Sequence, residues 1–196
     1  IIIPNGSPYE SNKLNERQQI IKSRCEESNL PIIYLNLVGG QDDLVFDGGS
    51  FVYDNRGTIV CQFPQFLEKT EQVIFEQRKN GWVPLPELVA EIGSRESQDY
   101  KAVVLGLRDY VLKSNFHKVV IGLSGGIDSA LVAVMAVDAL GADNVVCLAL
   151  PSKFNSSASL DDAKQLSENL GITLETIGIQ EIIDKVDQRL EPVSYT

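Results

Sequence analysis

The residues best suited to chemistry lie in one run, Gly122-Leu123-Ser124-Gly125-Gly126-Ile127-Asp128-Ser129. Gly125 and Gly126 let a backbone approach an anion without a clashing Cβ. Ser124 and Ser129 add hydroxyl donors. If a helix starts at this point, its free N–H groups and dipole face the loop and favour an anionic group such as phosphate. Asp128 repels phosphate, so its natural task is to hold a metal ion that bridges phosphate oxygens. The run matches neither GxxxxGK[ST] nor GxGxxG, which excludes a Walker-type loop and a dinucleotide fingerprint.

The flanking sequence supplies the elements such a loop needs. Lys118 to Leu123 predicts a strand, and Ser129 to Leu140 a helix apolar nearly all round, hence buried, closed by Gly141. Val145 to Leu150 is a continuous apolar run, as in a central parallel strand. Ser159 is expected to cap a helix with Asp161 and Asp162 in its first turn, ending at Gly171. Ile172 to Ile177 predicts a third strand and Ile182 to Leu190 a last helix. Ahead of them, Tyr100, Val103, Val104, Leu107 and Val111 recur at helical spacing over Asp99 to Ser114. This alternation implies a parallel sheet, with the loop at a strand's C-terminal end, where open α/β sheets bind ligands.

The first part of the chain reads differently. Ile1-Ile2-Ile3 predicts a short buried strand and suggests a chain that begins inside a domain. Pro4 to Pro8 is a turn-rich loop, and Ser11 or Asn12 can cap a helix reaching Asn29. Ile32 to Val38 predicts a strand, Gly39-Gly40-Gln41-Asp42-Asp43 a loop, and Phe51 to Tyr53 with Ile59 to Cys61 a hairpin turned by Asp54-Asn55-Arg56-Gly57. Residues 66–96, with Pro84, Pro86, Gly81 and Gly93, predict a linker.

Bulk properties narrow the class. The chain has 196 residues, 43% hydrophobic and 22% charged, with net charge -10 and pI about 4.6. Acidity on this scale opposes a broad nucleic-acid-binding face. No apolar run approaches the roughly 20 residues of a membrane helix. Cys25, Cys61 and Cys147 form no CxxC pair, and His117 is the single histidine, which excludes a histidine metal cluster. An odd number of scattered cysteines suits a reducing cytoplasm.

The SGGxDS pattern resembles the pyrophosphate loop of the N-type ATP pyrophosphatases. That resemblance implies cleavage of ATP to AMP and pyrophosphate, with Mg²⁺, through an adenylated intermediate. Leu105 to Tyr110, Val120 to Leu131, Leu150-Pro151-Ser152-Lys153-Phe154-Asn155-Ser156 and Asp161-Asp162-Ala163 are similar to the NAD synthetase domain. There the segment after the second strand lies near ATP, so Lys153 is either an ATP-side residue or a solvated loop lysine. Asn5-Gly6-Ser7-Pro8-Tyr9 with Lys13 and Arg17, then Gly39 to Gly48, resemble the C-terminal half of a nitrilase-type glutaminase domain. Both halves together resemble the glutamine-dependent NAD synthetases.

The resemblance implies an α/β fold class: the C-terminal half of a nitrilase-like αββα sandwich (residues 1–65), a linker (66–96), and a Rossmann-like parallel-sheet ATP pyrophosphatase domain (97–196), both domains incomplete. It implies ATP at Gly122, Leu123, Ser124, Gly125, Gly126, Ile127, Asp128 and Ser129, Mg²⁺ on Asp128, and glutamine contacts from Ser7 and Lys13. A hydroxyl donor and an ammonium are what an α-carboxylate needs. Gln41, Asp42, Asp43 and Asp47 read as a satisfied loop network rather than substrate contacts. The family's glutaminase Glu, Lys and nucleophilic Cys precede the Asn5–Pro8 motif, so the chain carries no catalytic residue for glutamine hydrolysis. The expected reaction is ATP-dependent amidation of deamido-NAD⁺ with ammonia from glutamine. The expected partners are these small molecules and further copies of the chain, with no nucleic acid and no membrane. Another ligase or tRNA-modifying enzyme with the same loop, or a nucleotide-binding module without catalysis, are the alternatives.

Overall fold

A computed structural model describes residues 1–79, 81–153 and 157–190. They divide into two compact units, Ile1–Tyr110 and Val111–Thr196, and the boundary falls inside one helix. No described helix is long and apolar enough to cross a membrane.

The first unit is built on a four-stranded sheet in the order β1-β2-β5-β6. Its strands are β1 (Ile2–Asn5), β2 (Ile32–Asn36), β5 (Phe51–Tyr53) and β6 (Ile59–Gln62). β1 and β2 are parallel, with Ile2 opposite Ile33 and Asn5 opposite Asn36; the other pairs are antiparallel. The crossover from β1 to β2 is helix α1, Lys13–Ser28. Leu14, Arg17, Ile21 and Cys25 recur at helical spacing and form its buried stripe. The apolar three pack on Ile32, Tyr34, Phe51 and Tyr53, where Tyr34 stacks on Phe51 at 4.9 Å. Strand alternation sends Ile33 and Val52 to the opposite face, with Val60, Cys61, Phe63 and Phe75.

Several sequence expectations need correction in this unit. The opening strand is exposed, not buried: Ile2 is 64% accessible, because β1 is an edge strand and Ile3 alone of the isoleucine run packs against the core. Asn12 occupies the N-cap of α1 in a left-handed conformation without a side-chain cap, and Ser11 donates instead to Asp99. The stretch read as a loop after β2 is a hairpin, β3 (Val38–Gln41) with β4 (Leu44–Asp47), turned at Asp42 with φ 52°. Residues 66–96 contain a second hairpin, β7 (Phe75–Arg78) with β8 (Gly81–Pro84). The hairpin β3–β4 lies against α2 (Arg95–Lys113): the Gly40 amide donates to Asp109 Oδ2 at 2.8 Å. A Cβ on Gly40 would sit 3.1 Å from both Gly106 Cα and Asp109 Cβ, a tighter contact than most side chains make.

The second unit holds the parallel sheet the sequence called for, in the order β11-β10-β9. It comprises β9 (Val119–Gly122), β10 (Val145–Ala149) and β11 (Thr173–Thr176), alternating with α3 (Ile127–Leu140), α4 (Ser157–Leu170) and α5 (Gln180–Leu190). Val145 pairs with Val119 and Val146 with Thr173, making β10 central. The expected burial of α3 on all sides does not occur. Only Ala133, Ala136 and Ala139 are buried, while Leu131 and Val132 are about half exposed, at 47% and 49%. Small residues face the sheet and the larger ones are left uncovered by the described chain. Ser159 does not cap α4, which starts at Ser157; it lies within the first turn, and Asp161 and Asp162 fall later.

Candidate functional site

The loop between β9 and α3 forms by continuing the sheet. The Leu123 amide donates to the Leu148 carbonyl at 2.8 Å, carrying the β9–β10 pairing one residue past β9, to a buried leucine. The backbone then turns through Gly125, φ +79°. A Cβ there would be driven into the Ser159 carbonyl oxygen and would lie 2.8 Å from Ser159 Cα. Gly125 therefore answers a neighbouring helix as well as any phosphate. Gly126 differs: it is extended (φ -84°, ψ 157°), and its Cβ would meet nothing closer than Ser124 Oγ at 3.4 Å.

The two serines tie the loop together. Ser129 Oγ accepts from the Ser124 amide at 3.2 Å and donates to the Gly126 carbonyl at 3.0 Å. Ser124 Oγ lies 3.1 Å from Ser129 Oγ and accepts from the Gly126 amide at 3.3 Å. These bonds satisfy the amides of Ser124 and Gly126. The amides of Gly125, Ile127, Asp128 and Ser129 have no hydrogen-bond partner among the described residues. Those of Ile127, Asp128 and Ser129 stand in the first turn of α3 and that of Gly125 just ahead of its N-cap, where the helix dipole is positive.

A cleft of about 210 Å³ opens beside the loop at the C-terminal ends of β9 and β10. Gly122, Leu123 and Ser124 line one side; Leu148, Ala149, Leu150 and Pro151 the next; Ser159 and Leu160 of α4 the third. Apolar walls with a polar rim at the loop fit a ligand with a flat apolar body and an anionic tail.

Asp128 is exposed and makes no ion pair or hydrogen bond among the described residues. No group of three His, Cys, Asp or Glu that could hold a metal occurs among them. One free carboxylate beside a phosphate-sized site still fits Mg²⁺, which is commonly held by one or two carboxylates plus phosphate oxygens and water. Lys153 is exposed; its Nζ pairs with Asp184 at 3.5 Å, and its amide donates to Gln180 at 2.7 Å. Phe154, Asn155 and Ser156 lie outside the described residues.

The other candidates, Ser7 and Lys13, sit in the first unit. Lys13 pairs with Glu10 at 3.4 Å and Glu16 at 3.9 Å. Ser7 belongs to a separate buried network centred on the ion pair of Arg17 with Asp47, 2.8 Å apart. Arg17 Nε donates to Ser7 Oγ at 3.0 Å, and its Nη2 donates to the carbonyls of Ser7 and Pro8. Asp47 also accepts from Asn36 and Gln65, and the Ser7 amide donates to Asn36. Of the acidic loop, Asp47 is thus satisfied as expected, whereas Gln41, Asp42 and Asp43 are exposed. The partnership of Arg17 and Asp47 was not predicted from sequence; nothing local signals a pair separated by a strand and a hairpin.

Tyr9 donates to Asp99 at 2.7 Å; burial, then that carboxylate, pushes its phenol up to about 12. Cys25, Cys61 and Cys147 are all buried, and burial raises each thiol above its ordinary range. None is a thiolate nucleophile.

Comparison with known proteins agrees in placing the chain. Residues 99–195 match the model of the family described as NAD synthase. The chain is 52% identical over 181 residues to the glutamine-dependent NAD(+) synthetase of Rhodobacter capsulatus, covering 92% of the chain and 33% of that protein. It is 40% identical over 189 residues to the one from Synechocystis, covering 96% and 34%. The glutamine-dependent NAD⁺ synthetase of Acinetobacter baumannii, solved in complex with ADP, superimposes with TM-score 0.92 at 36% identity, over all of the chain and 38% of that structure. The chain thus spans about a third of the length of the curated relatives it matches.

Proposed function

We propose that this chain, whose residues 99–195 form a domain of the NAD synthase family, serves the ATP-dependent amidation of deamido-NAD⁺ to NAD⁺, with glutamine as the nitrogen source. The observation that carries this is the set of open amides at Gly125, Ile127, Asp128 and Ser129, directly after Gly122 to Ser124, which line a cleft at the ends of β9 and β10. On this reading the adenosine lies against Leu148 to Pro151 and Leu160, and the triphosphate lies over Gly122 to Ser129. The amides and the dipole of α3 stabilise negative charge as pyrophosphate leaves. Mg²⁺, held by Asp128 together with phosphate oxygens, would supply charge neutralisation. The loop's own part is orientation: it fixes the α-phosphorus for in-line attack by the nicotinate carboxylate. Ammonia then displaces AMP from the acyl adenylate and the amide forms.

Residues 1–65 are read as the nitrilase-like glutaminase part, 66–96 as the connection, and 97–196 as the ATP pyrophosphatase part. Ser7 and Lys13 are assigned to the α-carboxylate of glutamine; Lys13 must exchange Glu10 for the ligand. The buried cysteines leave this segment without the nucleophile that releases ammonia. The free thiols suit the cytoplasm, and assembly of further copies is part of the same reading. A tRNA-modifying role is less well supported, given a net charge of -10.

The test has two arms. Calorimetric titration of the chain with Mg·ATP measures the site directly. In the complete gene product, AMP and pyrophosphate should form in equal amounts only when deamido-NAD⁺ is present. AMP formation indifferent to deamido-NAD⁺ would refute the acceptor, and absence of ATP binding would refute the site.

A further inference from the structure

Ser7 has a hydroxyl whose hydrogen-bonding capacity is half used. Its Oγ accepts from Arg17 Nε at 3.0 Å, and its own proton has no acceptor among the described residues. Ser7 is only partly buried, whereas Arg17 is 5% exposed and Asp47 1%. Arg17 reaches three groups around one turn: the hydroxyl of Ser7, the carbonyl of Ser7 at 2.9 Å, and the carbonyl of Pro8 at 2.7 Å. Asp47 holds the far side of the guanidinium at 2.8 Å and is itself held by Gln65 at 2.8 Å and Asn36 at 3.3 Å. The planar fork of an arginine can serve two directions at once, which an ammonium cannot.

We infer that Arg17, braced by Asp47, is a positioning residue that aims the Ser7 hydroxyl proton outward as a donor to an anionic ligand oxygen. A cation donating to the hydroxyl oxygen occupies the lone pair nearest the protein. The remaining O–H is then directed away from Arg17 and polarised, so it is a better donor than a free serine rotor. The ligand class is a carboxylate. This rests on the reading of Ser7 as a contact to the glutamine α-carboxylate, and assigns to a buried ion pair a role beyond stability.

The experiment uses the complete gene product and compares Ser7→Ala, Arg17→Lys and the double variant. Arg17→Lys keeps the charge opposite Asp47 and loses the fork. It is expected to raise the KM for glutamine about tenfold, the loss of one charge-assisted hydrogen bond, with a smaller change in kcat. Turnover with ammonia supplied in the buffer should stay near wild type, while the melting temperature falls because the Ser7 and Pro8 carbonyls lose their donor. In the double variant the KM should match that of Ser7→Ala alone, because Arg17 acts through the hydroxyl. If Ser7→Ala leaves the KM unchanged, the glutamine reading of Ser7 fails. If Ser7→Ala raises the KM and Arg17→Lys does not, or if the two effects multiply in the double variant, the positioning role fails and the glutamine reading stands. Loss of ammonia-supported turnover in Arg17→Lys would assign the pair to the scaffold and likewise overturn the proposal.

Discussion

Gly125→Ala separates two reasons for a glycine in the loop. Placing a side chain at φ +79° costs about 1–2 kcal/mol in the left-handed region. The new Cβ also collides with the Ser159 carbonyl oxygen and approaches Ser159 Cα to 2.8 Å. Backbone of α4 cannot rotate away as a flexible side chain could, so relief requires a main-chain shift costing about 1–3 kcal/mol more. Together these give about 3 kcal/mol, or a fall in melting temperature of roughly 6–12 °C for a chain of this length. Gly126→Ala is the control: an extended backbone and a nearest atom at 3.4 Å predict stability within about 0.5 kcal/mol of wild type. Scanning calorimetry without nucleotide reads the steric effect alone. Titration with Mg·ATP then reads the ligand effect, expected as a loss on the order of 100-fold for Gly125→Ala. Equal melting shifts for the two variants, or none for Gly125→Ala, would refute the assignment of Gly125 to the contact with α4.

Asp128→Asn should cut adenylation in the complete gene product by at least about tenfold, while nucleotide binding without Mg²⁺ changes little; unchanged adenylation would remove the metal role. Asp47→Ala strands Arg17 in the interior and should destabilise the first unit by about 3–5 kcal/mol, read from urea unfolding. The thiol pKa values of Cys25, Cys61 and Cys147 are raised in the folded state, as is the phenol of Tyr9. A raised pKa means the folded form holds its proton more tightly. The associated stability is therefore complete below the ordinary pKa and is lost as pH rises through the shifted one. The urea midpoint should decline above about pH 9. Tyr9→Phe should flatten the part between 10 and about 12, and an unaltered curve would contradict the burial of that phenol. Iodoacetamide should label none of the three thiols until denaturant is added.

Elements whose signal is local were legible. Tyr100, Val103, Val104, Leu107 and Val111 announce α2 by their helical spacing, and the apolar run Val145 to Leu150 announces the central strand β10. Features set by distant contacts were not. Gly39 to Asp43 read as a loop because glycine and aspartate disfavour strands, but Gly40 is there to admit Gly106 and donate to Asp109. The start of α4 was misplaced because Ser159, read as a cap, lies within the helix's first turn, where its backbone stands against Gly125. The hairpin Phe75–Pro84 escaped notice because its strands are mostly exposed and alternate weakly. In the candidate site the residue types were readable, and so was the strand–loop–helix setting. The division of labour among them was not, since it depends on which amides the serines already occupy and on what stands opposite each glycine.

On the proposed nucleotide reading, the serine-to-serine clasp across the loop would also govern the kinetics of capture. Because Ser129 already joins Ser124 to Gly126, an arriving nucleotide would meet a finished cradle instead of a segment that must be ordered on arrival. Little conformational entropy is then lost on docking, so association should proceed at a rate governed by encounter and depend linearly on nucleotide concentration, without a slow isomerisation phase. Cutting the clasp with Ser129→Ala converts the rigid cradle into a closing one, and the on-rate should fall and saturate.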